Sequence, residues 1–181
     1  RGDAVLASRF DLIPVPIPMT AAAVVRVPNG GTVLVVSIHL ECCGSFPGSV
    51  QDQRRIEQMR TIIAALQRFR QGTLDPTLEP HRAAPLIIAG DWNLVGTRTP
   101  LTLVEGAERV QLTPLLIRHL ADEDVWTGGG CHRLSDSPEC PRQGPGRFPP
   151  GLGDLVAYSA AGLKPRNSFV LNSEELTSDE L

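Results

Sequence analysis

Apolar segments of strand length recur along the chain and predict a β-sheet. Residues 22–27 and 32–40 flank a Pro-Asn-Gly-Gly sequence at 28–31, which is typical of a hairpin turn. Residues 85–90 form an unbroken apolar run that closes on a glycine, as expected of a buried strand. The segments predicted as strands are residues 4–10, 22–27, 32–40, 85–90, 154–159 and 167–171.

One long stretch has the periodicity of a helix. After Ser49 the apolar side chains recur every three or four positions, and arginine, glutamine and glutamate fill the opposite face. Ser49 with Asp52 predicts the start of this helix, and Gly72 predicts its end. A further helix is expected at residues 112–120, before a loop rich in glycine, proline and serine at 128–151.

The number and order of these elements define the fold class. Strands outnumber helices and include a hairpin, so the sequence predicts an α+β fold with antiparallel strand pairing. The 181 residues suffice for one hydrophobic core, and no apolar stretch is long enough to span a membrane. We therefore expect one domain over residues 1–181 and a monomer. The net charge of -3 counts modestly against duplex DNA as a partner.

Polar side chains stand where three of the predicted strands begin or end. Asp91 and Asn93 follow the apolar run, and side chains two positions apart on a strand share a face. A carboxylate can hold a hard cation or accept a proton from water, and an amide can hydrogen-bond an anionic oxygen. The alternative is an Asx-type turn, in which both residues satisfy local backbone groups. His39 and Asp154 lie at two further strand ends, which favours a shared site for phosphate chemistry.

Three motifs follow one another in a characteristic order. They are Ser37-Ile38-His39-Leu40, Gly90-Asp91-Trp92-Asn93 and a late strand that runs from Asp154 to Ser159. Together they resemble the endonuclease/exonuclease/phosphatase superfamily, the DNase I-like metal-dependent phosphoesterases. Residues 90–96 and 148–151 look like a bacterial branch of that group. The resemblance implies an αββα four-layer sandwich of two mainly antiparallel sheets, with the active site along the edge where the strands of both sheets end.

The same resemblance implies a role for each motif residue. Asp91 would orient or deprotonate the attacking water and would bind Mg²⁺ or Mn²⁺. Asn93 would hold a phosphate oxygen, and His39 would contact the phosphate or the leaving group. Asp154 would orient a second, catalytic histidine. The implied substrate is a phosphate ester, which in this superfamily ranges over nucleic acids, nucleotides, inositol phosphates and phospholipid headgroups.

The chain departs from the family pattern towards both ends. The family's early Asn and metal-binding Glu have no counterpart around residues 4–9, and Leu152 stands where the family often has Arg. Its closing Ser-Asp-His motif is absent, unless residues 178–180, Ser-Asp-Glu, are a degenerate form. We therefore expect a partial domain that lacks the N-terminal strands and the Ser-Asp-His strand. This segment should bind metal poorly and hydrolyse little.

Two other interpretations remain open. A non-catalytic relative would keep the sandwich as a binding or scaffold module. A cysteine-stapled extracellular domain would have no phosphoester chemistry, and a bond between Cys131 and Cys140 would favour a secreted over a cytoplasmic location. Cys42 and Cys43 are adjacent and cannot easily bond to each other. Trp126 is either a packing residue or, in its glycine-rich setting, a border of the substrate cleft.

Overall fold

The computed structural model of the protein describes residues 4–28, 30–42, 47–94, 97–111, 115–118, 152–159 and 162–164. These residues form strands, α-helices and a short 3-10 helix. In chain order the elements are β1 (Leu12–Pro14), β2 (Thr20–Arg26), β3 (Thr32–His39), α1 (Val50–Arg70), the 3-10 helix (Pro76–His81), β4 (Leu86–Leu94), α2 (Thr99–Gln111), β5 (Leu115–Arg118) and β6 (Leu152–Ser159).

The strands form one mixed sheet of six strands in the order β1-β2-β3-β4-β6-β5. β3 and β4 are parallel, whereas every other neighbouring pair is antiparallel. The parallel pair needs a long crossover, and α1 provides it. The predicted α+β class and the β2–β3 hairpin are confirmed. In the ranges that the structure describes there is this one sheet, so the second sheet of the implied sandwich is not seen there.

Helix α1 covers one face of the sheet and makes the core with it. The Ser49 side chain accepts a hydrogen bond from the Asp52 N–H, and Gly72 follows the last turn with a φ of 71°. Both predicted ends of the helix are therefore confirmed. The largest buried side chains between helix and sheet are Leu34, Val36, Ile38, Met59, Ile62, Phe69, Leu86, Ile88 and Trp92. Of the helices in the described ranges, none has the length and apolar composition to cross a membrane.

The opposite face of the sheet is also apolar, but it is only half covered. Val33, Val35, Ile87 and Val156 alternate with core residues along their strands, so they point away from α1. Each of them is partly exposed. Towards its margins the face is more fully covered, since Ala23, Val25 and Tyr158 are buried.

The strand predicted at residues 4–10 is wrong. This segment has no strand, Val5 is 77% exposed, and the edge strand of the sheet is β1 instead. The length of β2, the neighbouring strand, limits how far the edge of the sheet can extend. β2 ends at Arg26, whose N–H donates a hydrogen bond to the Asp11 carbonyl. Residues before Asp11 therefore extend past the end of β2 and have no strand beside them to pair with.

The helix predicted at residues 112–120 is also wrong. The second helix, α2, comes earlier and buries Leu101 and Val104 at helical spacing. Residues 115–118 form β5 instead, because the β6 edge is open there and pairs with them. Pro100 lies in the first turn of α2, a position where a missing N–H costs little. The loop expected at 128–151 and the strand expected at 167–171 lie outside the described residues.

Gly90 permits the close approach of β3 and β4. Its φ is 129°, a conformation that side chains rarely adopt, and an added Cβ would lie 2.1 Å from the Ile38 carbonyl oxygen. The residues that follow Ile38 and Gly90 are His39 and Asp91, which are register partners. Any side chain at this glycine would therefore separate the two strands directly before these residues.

We expect Gly90→Ala to lower the free energy of unfolding by at least about 2 kcal/mol, because it combines backbone strain with overpacking. Chemical denaturation measures the change. Gly106→Ala is the matched control, since Gly106 is exposed in α2 and a Cβ there meets nothing within 4 Å. That control should gain about 0.5–1 kcal/mol from helix propensity. Equal effects of the two substitutions would contradict the close-approach argument.

Candidate functional site

Strand register brings three of the predicted site residues into one row. His39 on β3 pairs with Asp91 on β4, and Asp91 pairs in turn with Asp154 on β6. Neighbouring strands lie about 4.8 Å apart, so the three side chains are direct neighbours. The residues next to them, Ile38, Trp92 and Leu155, are buried in the core beneath α1. The row therefore lies on the opposite, half-covered face of the sheet.

His39 and Asp91 are close enough for an ion pair when the imidazole is protonated. His39 Nε2 lies 3.8 Å from Asp91 Oδ2, which is too long for a direct hydrogen bond. The two side chains are 39% and 37% exposed, respectively. An imidazole and a carboxylate oxygen thus face each other with access to water, and a small ligand atom could contact both.

Asp154 has a perturbed electrostatic environment in this row. Partial loss of solvent around its carboxyl raises the pKa of Asp154 above the ordinary value of 3.8, and the negative charge of Asp91 raises it further. His39 acts in the opposite direction. Directly opposed carboxylates repel each other, and a cation placed between them would relieve that repulsion.

One oxygen of Asp91 is already used by the backbone. Asp91 Oδ1 accepts a hydrogen bond of 2.9 Å from the Asn93 N–H, which is the Asx-type turn that the sequence leaves open. Asn93 has a φ of 48°, and the pairing of β4 with β6 shifts register between Asp91 and Leu94. The turn and a site are compatible, because Oδ2 of the same carboxylate faces His39.

Asn93 connects the ends of two strands instead of simply projecting beside Asp91. Its side-chain amide donates a 2.9 Å hydrogen bond to the Leu40 carbonyl, and the Leu40 N–H donates one to the Asp91 carbonyl at 2.9 Å. An amide nitrogen carries two hydrogens, so one remains for a ligand oxygen. The role implied for Asn93 as a phosphate contact depends on that second hydrogen.

Two motif residues stabilise the strands that carry the row. Trp92 is fully buried, and its Nε1–H donates to the Leu155 carbonyl at 3.2 Å. Ser159, also buried, accepts a 3.0 Å hydrogen bond from the Leu86 N–H. The last residue of the Asp154 motif therefore joins β6 to the start of β4. Trp126, predicted to pack or to border a cleft, lies outside the described residues.

Residues of α1 that contact the end of β3 are not predicted by the sequence. Arg55 is fully buried and Gln58 is half-buried, and each hydrogen-bonds the backbone of Glu41, two residues after His39. Helical periodicity places both among polar positions and gives no sign of their targets. The capping pattern of Ser49 and Asp52, which predicts the start of α1, is the one sequence pattern that indicates this region.

The donor set fits a divalent cation only in part. Asp91 and Asp154 supply oxygen ligands of the kind that Mg²⁺ and Mn²⁺ prefer. Among the residues with described positions, however, no group of three or more His, Cys, Asp or Glu side chains could hold a metal ion. The two carboxylates of the row would need further ligands from solvent, substrate or other parts of the chain.

A disulfide lies close to this end of the sheet. Cys42, three residues after His39, is disulfide-bonded, and its partner lies outside the described residues. The chain has four cysteines, so the partner is Cys43, Cys131 or Cys140. The bond predicted between Cys131 and Cys140 lies outside the described residues.

In comparisons with known proteins, no protein-family model and no curated protein matches the chain. The resemblance to the endonuclease/exonuclease/phosphatase superfamily therefore rests on the three sequence motifs.

The raised pKa of Asp154 predicts a pH dependence of stability. Between pH 3.8 and its raised pKa the folded chain binds this proton more tightly than the unfolded chain does, so stability falls as the pH rises through that window. Asp154→Asn should abolish this loss and raise the stability at neutral pH. The gain should be below about 1 kcal/mol, because water screens these exposed carboxylates. Denaturant unfolding as a function of pH measures it.

Asp75→Asn is a control of opposite sign. Hydrogen bonds from the Thr77 hydroxyl and N–H lower the pKa of Asp75, so its carboxylate stabilises the fold above pH 3.8 and that contribution is lost on acidification. This variant should therefore be less stable than the native chain at neutral pH. A loss of stability in Asp154→Asn at neutral pH would show that desolvation of the carboxylate and repulsion from Asp91 are not the dominant effects.

Proposed function

We propose that the chain belongs to a metal-dependent phosphoester hydrolase of the endonuclease/exonuclease/phosphatase type. The observation that carries the proposal is the row of His39, Asp91 and Asp154, which adjacent strands hold in register on one face. Three residues separated widely in sequence meet in the order that the motifs imply. Each of them is partly or well exposed, so a ligand can reach the row.

Displacement at phosphorus needs a positioned water, neutralised charge on the equatorial oxygens and a proton for the leaving oxygen. Asp91 Oδ2 is free of the Asx-type turn and would orient the water and accept its proton. Bound Mg²⁺ or Mn²⁺ would supply neutralisation of the phosphate charge and a more acidic water. Asp91 is the residue best placed to hold that ion, and Asp154 is its nearest neighbouring carboxylate in register.

His39 would act on the phosphate next to Asp91. Its Nε2 lies 3.8 Å from Asp91 Oδ2, so the imidazole and the carboxylate reach the same small region. A protonated imidazole donates hydrogen bonds from both ring nitrogens, so it can bind a phosphate oxygen or protonate the leaving group. The second hydrogen of the Asn93 amide would contact another phosphate oxygen. Asp154 would orient a further histidine.

The half-covered apolar face supports the four-layer sandwich as a proposal. Partly exposed valine and isoleucine side chains run along β3, β4 and β6 on the face opposite α1. A sheet face of this composition is stable when another layer covers it. A second sheet on this face would bring its own strand ends towards the row. The site would then lie along the common edge of both sheets.

A second candidate is a non-catalytic sandwich that binds phosphate esters without hydrolysing them. The observation that favours it is the use of Asp91 Oδ1 and of one Asn93 hydrogen in local structure. A binding module needs only hydrogen-bond donors and a bound cation, whereas an enzyme also needs an aligned base. Binding without turnover would identify this candidate.

Asp91→Asn separates these possibilities. With Mn²⁺ as a paramagnetic probe, the native chain should show NMR broadening at His39, Asp91 and Asp154, and the variant should lose it because a neutral amide is a poor ligand. With bis(p-nitrophenyl) phosphate and Mg²⁺, any turnover should fall by roughly 10²–10⁴-fold, the usual contribution of a general base.

Asp75→Asn is the matched control, because Asp75 is a partly exposed aspartate that caps the 3-10 helix and is not part of the row. It should change neither the broadening nor the hydrolysis. Absence of Mn²⁺ broadening in the native chain would contradict the metal-dependent proposal. Broadening that needs Asp91, without turnover in the presence of Mg²⁺, would favour the binding module.

A further inference from the structure

The first turns of α1 contain a buried ion pair. Asp52 and Arg55 are 1% and 0% exposed, and Arg55 Nη2 lies 3.5 Å from Asp52 Oδ1. Burying two charges carries a desolvation cost that their mutual attraction often fails to offset, and apolar replacements are often as stable. A pair in this position therefore needs an explanation other than helix stability, and its other hydrogen bonds provide one.

Arg55 and Gln58 hold the backbone directly after β3. Arg55 Nη1 donates to the Glu41 carbonyl at 3.0 Å, and Gln58 Oε1 accepts from the Glu41 N–H at 2.8 Å. Both main-chain groups of Glu41 are thus bonded to α1. His39 lies two residues earlier, with Leu40 between them joined to Asp91 and Asn93.

Asp52 holds one further backbone group and one side chain. Its Oδ2 accepts the Gly48 N–H at 2.9 Å, and its Oδ1 accepts the Thr97 hydroxyl at 3.1 Å. Gly48 lies on the connection from β3 to α1, and Thr97 follows Asn93 by four residues. One buried ion pair is therefore bonded to the chain that leaves β3 and to the chain that leaves β4.

We propose that Asp52 and Arg55 are positioning residues for the candidate site. They fix the backbone that follows His39 and the backbone that follows Asn93, and so set the geometry of the row without touching a ligand. The significance of this geometry for phosphate-ester chemistry rests on the proposed function. The positioning itself is a property of the fold and can be tested separately.

Arg54 provides a matched control. It is the neighbour of Arg55 in sequence and also contacts Glu41, but through the carboxylate, with Nη1 3.0 Å from Glu41 Oε1. Its side chain is 62% exposed. Removing Arg54 deletes an exposed ion pair and leaves the backbone contacts of Glu41 intact. Removing Arg55 deletes one of those backbone contacts.

The test compares Arg54→Met with the double variant Asp52→Asn/Arg55→Met, which leaves no unpaired buried charge. Amide hydrogen exchange by NMR reports opening at Leu40 and Glu41 relative to Leu34 and Val36 in the centre of β3. In the double variant the two outer amides should exchange at least roughly tenfold faster relative to the central ones, as expected when a hydrogen bond from a charged donor is lost. Arg54→Met should leave that ratio unchanged.

A conservative variant keeps the test decisive if the double variant does not fold. Arg55→Lys retains the charge but not the fork of donors, so the exchange ratio should rise by less than in the double variant. A ratio that stays at the native value in every folded Arg55 variant would overturn the proposal. So would an equal rise in Arg54→Met.

The same samples with Mn²⁺ connect the positioning to the proposed function. The double variant should need several-fold more Mn²⁺ for the same broadening at His39 and Asp91, although all row residues are unchanged. Unaltered Mn²⁺ response beside faster local exchange would overturn the link to the site. No Mn²⁺ response in the native chain would instead contradict the proposed function and leave the exchange result to decide the positioning.

Discussion

The parallel pairing of β3 with β4 is the interaction on which the rest of the structure depends. Gly90 makes it possible, because its missing side chain and its φ of 129° let the Ile38 carbonyl approach closely. The same register places His39 beside Asp91 and lets the Leu40 N–H reach the Asp91 carbonyl. Helix α1 connects the two strands and then packs over both. The same strand pairing therefore builds the hydrophobic core and the edge that carries the candidate site. β6 completes the row by pairing with the free edge of β4.

Charge is distributed differently on the two sides of this sheet. On the α1 side, the ion pair of Asp52 and Arg55 is fully buried and is bonded to backbone groups. On the other side, Asp91 and Asp154 oppose each other at a partly open edge, and partial desolvation together with the charge of Asp91 raises the pKa of Asp154. The first arrangement gives rigidity to the strand ends. The second leaves a local excess of negative charge that a cation would stabilise.

The sequence predicts the parts of this arrangement that depend on local pattern. The hairpin of β2 and β3, both ends of α1 and the strand before Asp91 all follow from periodicity and turn residues, and they are confirmed. The predictions for residues 4–10 and 112–120 are wrong because strand pairing determines the structure of both segments. The first segment has no neighbouring strand to pair with. Part of the second pairs with the free edge of β6. Some atoms of Asp91 and Asn93 form the Asx-type turn, and others face the row. This division depends on the positive φ of Asn93 and on the register shift between β4 and β6, which no local sequence pattern shows. The contact of Arg55 with the Glu41 carbonyl is equally invisible in the sequence, because its partner is a backbone group.

The row has a geometric property that bears on how such a domain can diversify. His39 and Asp91 stand at the C-terminal ends of β3 and β4, and Asp154 stands near the N-terminal end of β6. The connections that leave the first two strands and the one that enters the third therefore meet the sheet at the same rim. Insertions there lengthen loops around the row without altering the strand register that builds it. The loops around the row can thus vary in sequence and length while the strand register that builds the row stays fixed.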